Sequence, residues 1–339
     1  MPESVTLEYL TLHPLPPRLL PKLDTDQDRA RAQHKSGPAQ LVSEAHAILD
    51  HPGWSHEKSW HDGLVKTYHL DHTLVRSRSV AASPSISANN AEQAPATPSA
   101  KRRGWFGSAP DHRPSHNDAA DEGIGWWLRR SKLSDEQAPF DVMYSLLGLD
   151  HTIQEQHYVS NLAHVHDRGQ DVFLKQYTLP FPTTDRSFLC HVTVHIVSDD
   201  EFLVVSLPVN DEGDTEVLRL DKHHVRGRLV SVERIKRTRQ NGELVTEWSC
   251  CSRSTPGGSI PVRVAESHMA ASLADSVPPF LQYLEKHTGV PVRSRGASKR
   301  ESLLHRASSE MQGLSRSISR TLRFTSDEGS GPPPTVKAA

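Results

Sequence analysis

A carboxylate set into a strand is the most suggestive chemical group in this sequence. Between 226 and 238 the residues alternate: Leu229, Ser231, Glu233 and Ile235 share one face, and Arg228, Val230, Val232, Arg234 and Lys236 share the other. If the first face points inward, Glu233 is a buried carboxylate that must be ion-paired or bonded to a ligand. The alternative is a glutamate exposed at a strand edge. Histidine, at 21 residues, raises the question of a metal. His164 and His166 stand i, i+2, and His191 and His195 i, i+4, each pair on one strand face. A zinc site takes three or four converging ligands, usually with Cys or carboxylate among them. Neither Cys-x-x-Cys nor His-Glu-x-x-His spacing occurs, so no metal is expected. A Gly-rich phosphate loop, a nucleophile elbow and a paired-carboxylate motif are also missing, so no cofactor and no catalytic residue is predicted.

The elements that must position these groups are unevenly spread. Apolar residues make up 35%, and about 41% with the 19 glycines counted, below the roughly 45–50% of an ordinary globular chain. A normal core with added polar segments fits that deficit. Residues 76–123 are dominated by Ser, Ala and Pro and read as a disordered insertion; 289–339 reads as a disordered basic tail. Net charge is −2, which gives no whole-chain argument for nucleic acid. Three cysteines, Cys250 and Cys251 adjacent, make no disulfide framework and suggest a reducing compartment. Met1-Pro2-Glu3-Ser4 does not open a signal peptide, and no run approaches the ~20 apolar residues of a membrane span.

Between the polar segments the periodicity is clear. Leu41, Ala45, Ile48 and Leu49 predict a helix over roughly 39–50, and Val65 to Leu70 and Trp126 to Arg130 predict strands. Phe140, Met143, Tyr144 and Leu147 form a helical stripe after Pro139, with Gly148 placed to end it. Strands are then predicted at 156–166, 170–179, 187–198, 201–208, 226–238 and 243–253. The alternation in 187–198 predicts an antiparallel sheet covered on one side. Ser198-Asp199-Asp200 and Gln240-Asn241-Gly242 are hairpin turns. A long amphipathic helix follows over 261–287, which Pro278 and Pro279 should kink or split. The economical solution is a curved sheet wrapping one long helix, with a hollow filled by side chains or by a ligand.

Tyr177-Thr178-Leu179-Pro180 with Asp185-Arg186-Ser187-Phe188 is similar to the strand–turn–strand of the START lipid-transfer domain family, although Ser187 stands where Asp is usual. Ser206-Leu207-Pro208 followed by His224-Val225-Arg226-Gly227 resembles its strand, omega loop and next strand. Glu247-Trp248-Ser249 with Pro256-Gly257-Gly258-Ser259-Ile260-Pro261 resembles the last strand and the start of the terminal helix. Trp127-Leu128-Arg129-Arg130-Ser131 is similar to a Trp-x-x-Arg-Ser element of a fungal START-like family of unknown function. The match covers 124–288, with 1–75 supplying a first helix and strand.

The resemblance implies an α+β helix-grip fold whose curved antiparallel sheet wraps a long C-terminal helix around an internal cavity. It also implies a non-enzymatic protein, cytoplasmic and peripherally membrane-visiting, that holds one lipid or sterol as a monomer. The cavity candidates are Arg186, Arg226, Ser231, Glu233 and Trp248. The two arginines serve either loop carbonyls or a head group, and Trp248 is either core or ligand platform. Pro278, Pro279 and Leu281 are lid candidates together with the loop 208–225, which carries few apolar anchors. In the tail, Arg306, Leu314, Arg316, Ile318, Arg320, Leu322 and Arg323 suit an amphipathic helix on an anionic membrane surface. The alternatives are a helix-grip enzyme of cyclase or hydrolase type, or a scaffold with a vestigial cavity. An enzyme needs a titratable pair, and the sequence nominates Glu233 alone.

Overall fold

The computed structural model describes residues 4–14, 39–77, 123–180, 183–211 and 213–289. Nine strands form one sheet: β2 (Ser55–Trp60), β3 (Val65–Leu70), β5 (Trp126–Ser134), β6 (Leu162–Asp167), β7 (Val172–Tyr177), β8 (Arg186–Ser198), β9 (Glu201–Pro208), β10 (Val225–Gln240) and β11 (Glu243–Thr255). Their spatial order is β2-β3-β5-β11-β10-β9-β8-β7-β6. All neighbouring ladders are antiparallel, and the start of β10 adds a short parallel contact with β8. β1 (Val5–Leu7) and β4 (Val75–Ser77) make a separate parallel pair. Arg76 and Ser77, assigned from composition to the insertion, therefore lie in a strand. The β10–β11 hairpin turns at Asn241 and Gly242, both at positive φ, as the Asn-Gly pair predicts.

Helices lie on both faces of this sheet. On the inner face, Val192, Phe202, Val204, Ile235 and Trp248 pack against α2 (Phe140–Met143) and its continuation, and against α6 (Val277–Thr288) through Phe280, Leu281 and Leu284. On the outer face, Leu128, Leu203, Val205, Val230 and Val232 pack against Leu41, Ala45, Ile48 and Leu49 of α1 (Ala39–Leu49). The expectation of a sheet covered on one side is thus corrected. The half-polar face of β8 misled it: His191 and His195 point outward yet are each 2% exposed. Burial disfavours their charged form and brings both down to about 4, so they sit in the covered face as neutral rings. Glu44 on α1 fixes the N-terminal segment by accepting hydrogen bonds from the amides of Glu8, Tyr9 and Leu10.

The terminal helix divides as its prolines require. α5 (Val262–Asp275) stops at Ser276, and α6 starts with Pro278 and Pro279 in its first turn, where a missing N–H disrupts nothing. Two other boundaries differ from expectation. Gly148 does not end α2. It lies inside a π-helical turn over Tyr144–Leu149, where a Cβ would come within 2.8 Å of the Tyr144 ring, and α3 (His151–Glu155) follows. The strand expected from 156 begins only at Leu162, because His157 and Tyr158 turn away to meet α6. His157 stacks on Tyr283 with an interplanar angle of 7°, and Tyr158 meets Phe280 edge-on. The loop 208–225 also holds more than expected: α4 (Thr215–Leu220) buries Val217 in the outer core. Residues 78–122 and 290–339 lie outside the described residues, and with them the tail positions Arg306, Leu314, Arg316, Ile318, Arg320, Leu322 and Arg323.

Candidate functional site

Polar side chains of several elements converge on the inner face. Alternation puts Trp127, Arg129, Ser131 and Leu133 of β5 on that face, with Leu229, Ser231, Glu233 and Ile235 of β10. In register, Arg129 lies opposite Cys250 of β11, and Cys250 lies opposite Glu233. The small thiol leaves room for Arg129 Nη2 to come within 3.8 Å of Glu233 Oε2. The same Oε2 accepts a hydrogen bond from Trp248 Nε1 at 2.9 Å. Oε1 lies 3.5 Å from His151 Nε2 of α3. One helical turn on, Glu155 is 4.0 Å from His151 Nδ1 and is hydrogen-bonded and ion-paired to Lys175 of β7. Arg129, Glu233, His151, Glu155 and Lys175 thus form one chain of neighbouring groups, ion-paired at Arg129–Glu233 and at Glu155–Lys175, that links three strands through α3.

The chain is largely dry: the side chains of Arg129, Lys175 and Glu233 are 3%, 2% and 14% exposed. Burial alone would raise the Glu233 carboxyl, but bonding to His151, the Arg129 charge and the Trp248 N–H outweigh it and bring it down to about 2. Burial would lower the Lys175 ammonium, yet the Glu155 charge beside it lifts it above the usual lysine range. Tyr177 and Tyr158 are pushed up by burial and then by Glu155. Burial also raises Cys190 to about 11 and Cys250 well above the usual thiol range, which leaves them as unreactive core residues.

Glu233, Trp248 and Ser231 come together on the inner face. Ser231 sits in register with Ser252 on one side and Ser206 on the other. Trp248 packs on Phe280 at 4.7 Å and carries the Arg129 guanidinium 3.8 Å above its ring, so it is core and cation platform at once. Arg186 and Arg226 stand apart. Arg186 donates to the carbonyls of Thr184 and Asp185. Arg226, on the opposite face of β10 from Glu233, donates to Asp221 at 2.6 Å and to Ser187 at 3.2 Å. Pro278 and Pro279 begin α6, and Leu281 is buried in the inner core. Arg129, His151, Glu155 and Lys175 escaped sequence reasoning. A signal existed for Lys175, which shares its strand face with Phe173 and Tyr177. His151 and Glu155 stand i, i+4 on a helix too short to announce itself.

Packing on the inner face is uneven. Under α6 the space is filled by Trp248, Phe280, Tyr158 and the ion-pair chain. Under α5 it is looser: Ala265, Met269 and Leu273 stay half-buried, as do Phe173, Tyr177, Phe188 and Leu229 of the sheet. The inner face is thus packed more tightly under α6 than under α5. Among the described residues, no cluster of His, Cys, Asp and Glu is placed to hold a metal ion, and no helix is long and apolar enough to cross a membrane.

Comparison with known proteins follows this geometry. A family model described as a protein of unknown function (DUF3074) matches residues 126–284, which run from β5 into α6 and include every member of the ion-pair chain. No curated protein sequence matches. Among solved structures, human STARD10 is similar with a TM-score of 0.45 and 14% identity, covering 85% of this chain and 87% of that one. The lipid transfer and protein localization domain of human StarD13 (DLC2) is similar with a TM-score of 0.42 and 12% identity, covering 73% and 97%. Human StAR-related lipid transfer protein 5 is similar with a TM-score of 0.41 and 10% identity, covering 78% and 98%. The architecture itself, an antiparallel sheet closed over a C-terminal helix pair, is the α+β helix-grip arrangement.

Proposed function

We propose that this protein binds and transfers a lipid without chemically changing it, holding one apolar ligand between the inner sheet face and α5. A single observation carries this. A dry chain of charged and hydrogen-bonding groups shares the inner sheet face with the half-buried apolar side chains of Phe173, Phe188 and Leu229, and α5 adds Met269. Such a surface suits a molecule with a long apolar body and one polar end. Removing an acyl chain from water is worth about 0.8 kcal/mol per methylene, but a bilayer offers the same shelter. Moving the body between membrane and protein is then almost neutral, and the polar end decides selectivity. Acid–base catalysis fits less well, because it needs groups poised near neutrality, whereas Glu233 is held at about 2 and Lys175 above its usual range.

Native mass spectrometry of the purified chain after exposure to a lipid extract tests this. One retained lipid per protein supports it, and a protein that retains none from any lipid class overturns it. The basic stretch 291–324, net +6, is proposed to bring the lipid domain to anionic membranes. A chain ending near residue 290 should then co-sediment less with anionic liposomes than the full chain, and equal binding would refute the role.

A further inference from the structure

The inner face has more hydrogen-bond donors than acceptors, and this imbalance bears on which lipid fits; the inference rests on the lipid-binding function proposed above. Glu233 Oε2 accepts from Trp248 with Arg129 beside it, and Oε1 has His151 Nε2 3.5 Å away without a hydrogen bond, so each oxygen already faces a protein nitrogen. The donors beside it are in the opposite condition. Arg129 is buried, and its Nε and Nη1 have no hydrogen-bond partner among the described residues. On the same face of β5, Ser131 Oγ and Trp127 Nε1 are also buried without a partner. The Trp248 ring under the guanidinium, at 3.8 Å, holds its plane so that the N–H edge is fixed in direction.

Buried donors left unmatched are costly, and a charged donor most of all. Nε–H and Nη1–H lie on different edges of the guanidinium, so each can donate a single charge-assisted bond to an anionic oxygen such as that of a carboxylate. Beyond these donors the face carries Leu133, Leu229 and Ile235, with Ser206 and Ser252 in register with Ser231, so it serves one small anionic end beside an apolar body. We propose that the ligand is an apolar monocarboxylic acid of the long-chain fatty-acid class, whose carboxylate is received by Arg129 with Ser131. Its chain runs over the half-buried apolar residues beneath α5.

Two ligands with the same chain separate this from simple apolar binding. Oleic acid and oleyl alcohol, delivered from cyclodextrin to the full-length protein, are compared by titration calorimetry. Oleate should bind about tenfold more tightly or better. Arg129→Met should bring oleate down to the affinity of oleyl alcohol for the same variant, and Ser131→Ala should reduce the preference in part. If Arg129→Met does not fold, the comparison on the natural chain and on Ser131→Ala decides. Equal affinity for the two ligands, or a preference that survives Arg129→Met, overturns the assignment. If neither C18 ligand binds but native mass spectrometry retains a sterol or phospholipid, the carboxylate assignment fails and the lipid-binding function stands. If no lipid of any class is retained, both fail.

Discussion

Deleting one end of a buried ion pair leaves the other end charged and dry, which makes Lys175 and Glu155 an informative pair. Lys175→Met should destabilise the fold by about 3–5 kcal/mol, and adding Glu155→Gln should recover much of that, because the stranded charge is then gone. Urea unfolding of both variants measures this, and a loss under about 1 kcal/mol for the single variant would contradict a buried pair. The outer histidines make a second residue-scale prediction. His191 and His195 fall from the usual 6.5 to about 4 because burial penalises the imidazolium. Between those values the unfolded chain binds protons that the folded chain refuses, so stability present above 6.5 is lost as pH falls toward 4. Glu233, lowered from 4.5 to about 2, adds a loss only below about 4.5. His191→Asn should flatten the pH dependence of unfolding free energy between 6.5 and 4; an unchanged slope would show that burial of this ring is not its source. Glu233 was visible in the sequence because strand alternation alone set its neighbours Leu229, Ser231 and Ile235 on one face. Its partners were not, because Arg129, His151, Glu155 and Lys175 come from other elements and meet only when the sheet and α3 close.

At the scale of elements, the sequence announced what has an apolar face and concealed what has none. The α5–α6 break was legible because proline's effect on a helix is local. β2 was not, since Ser55 to Ser59 are all exposed at a sheet edge and show no apolar alternation, only the backbone ladder to β3. The π turn at Tyr144–Leu149 arises from tertiary packing around Leu146 and Leu147, with Gly148 against Tyr144, which a helical stripe cannot foretell. The break at Ser276 has a functional consequence under the lipid-binding proposal, because it lets α5 swing while α6 stays anchored through Phe280, Leu281 and Leu284. Replacing Pro278 and Pro279 by Ala removes the obstacle to a continuous helix. Stability should change by no more than about 1 kcal/mol, since first-turn prolines interrupt no hydrogen bond. Lipid exchange between donor and acceptor vesicles should slow severalfold. Exchange at the natural rate would mean that the break plays no part in uptake.

The described residues form a sheet with helices on both faces, and that restricts how a ligand can arrive. The outer face is packed by α1, α4 and residues 7–12, all contributing to one apolar core. On the inner face, α6 is locked over Trp248, and its Tyr283 hydroxyl is hydrogen-bonded to Gln154 beside the ion-pair chain. α5 is held more lightly. Ala274 is its only buried residue among those described, and its contact with β11 includes Ser254 Oγ at 3.4 Å from Met269 Sδ. If uptake requires α5 to lift from the sheet, a bridge at that contact should stop it. Ser254→Cys with Met269→Cys, joined by a short thiol-reactive cross-linker, places the bridge there, and the natural Cys190, Cys250 and Cys251 are all buried and slow to compete. The cross-linked protein should keep its fold by circular dichroism, melt at a higher temperature and cease to exchange lipid. The same double variant without the linker should exchange normally. If the bridged protein exchanges as fast as the unbridged one, α5 is not the door.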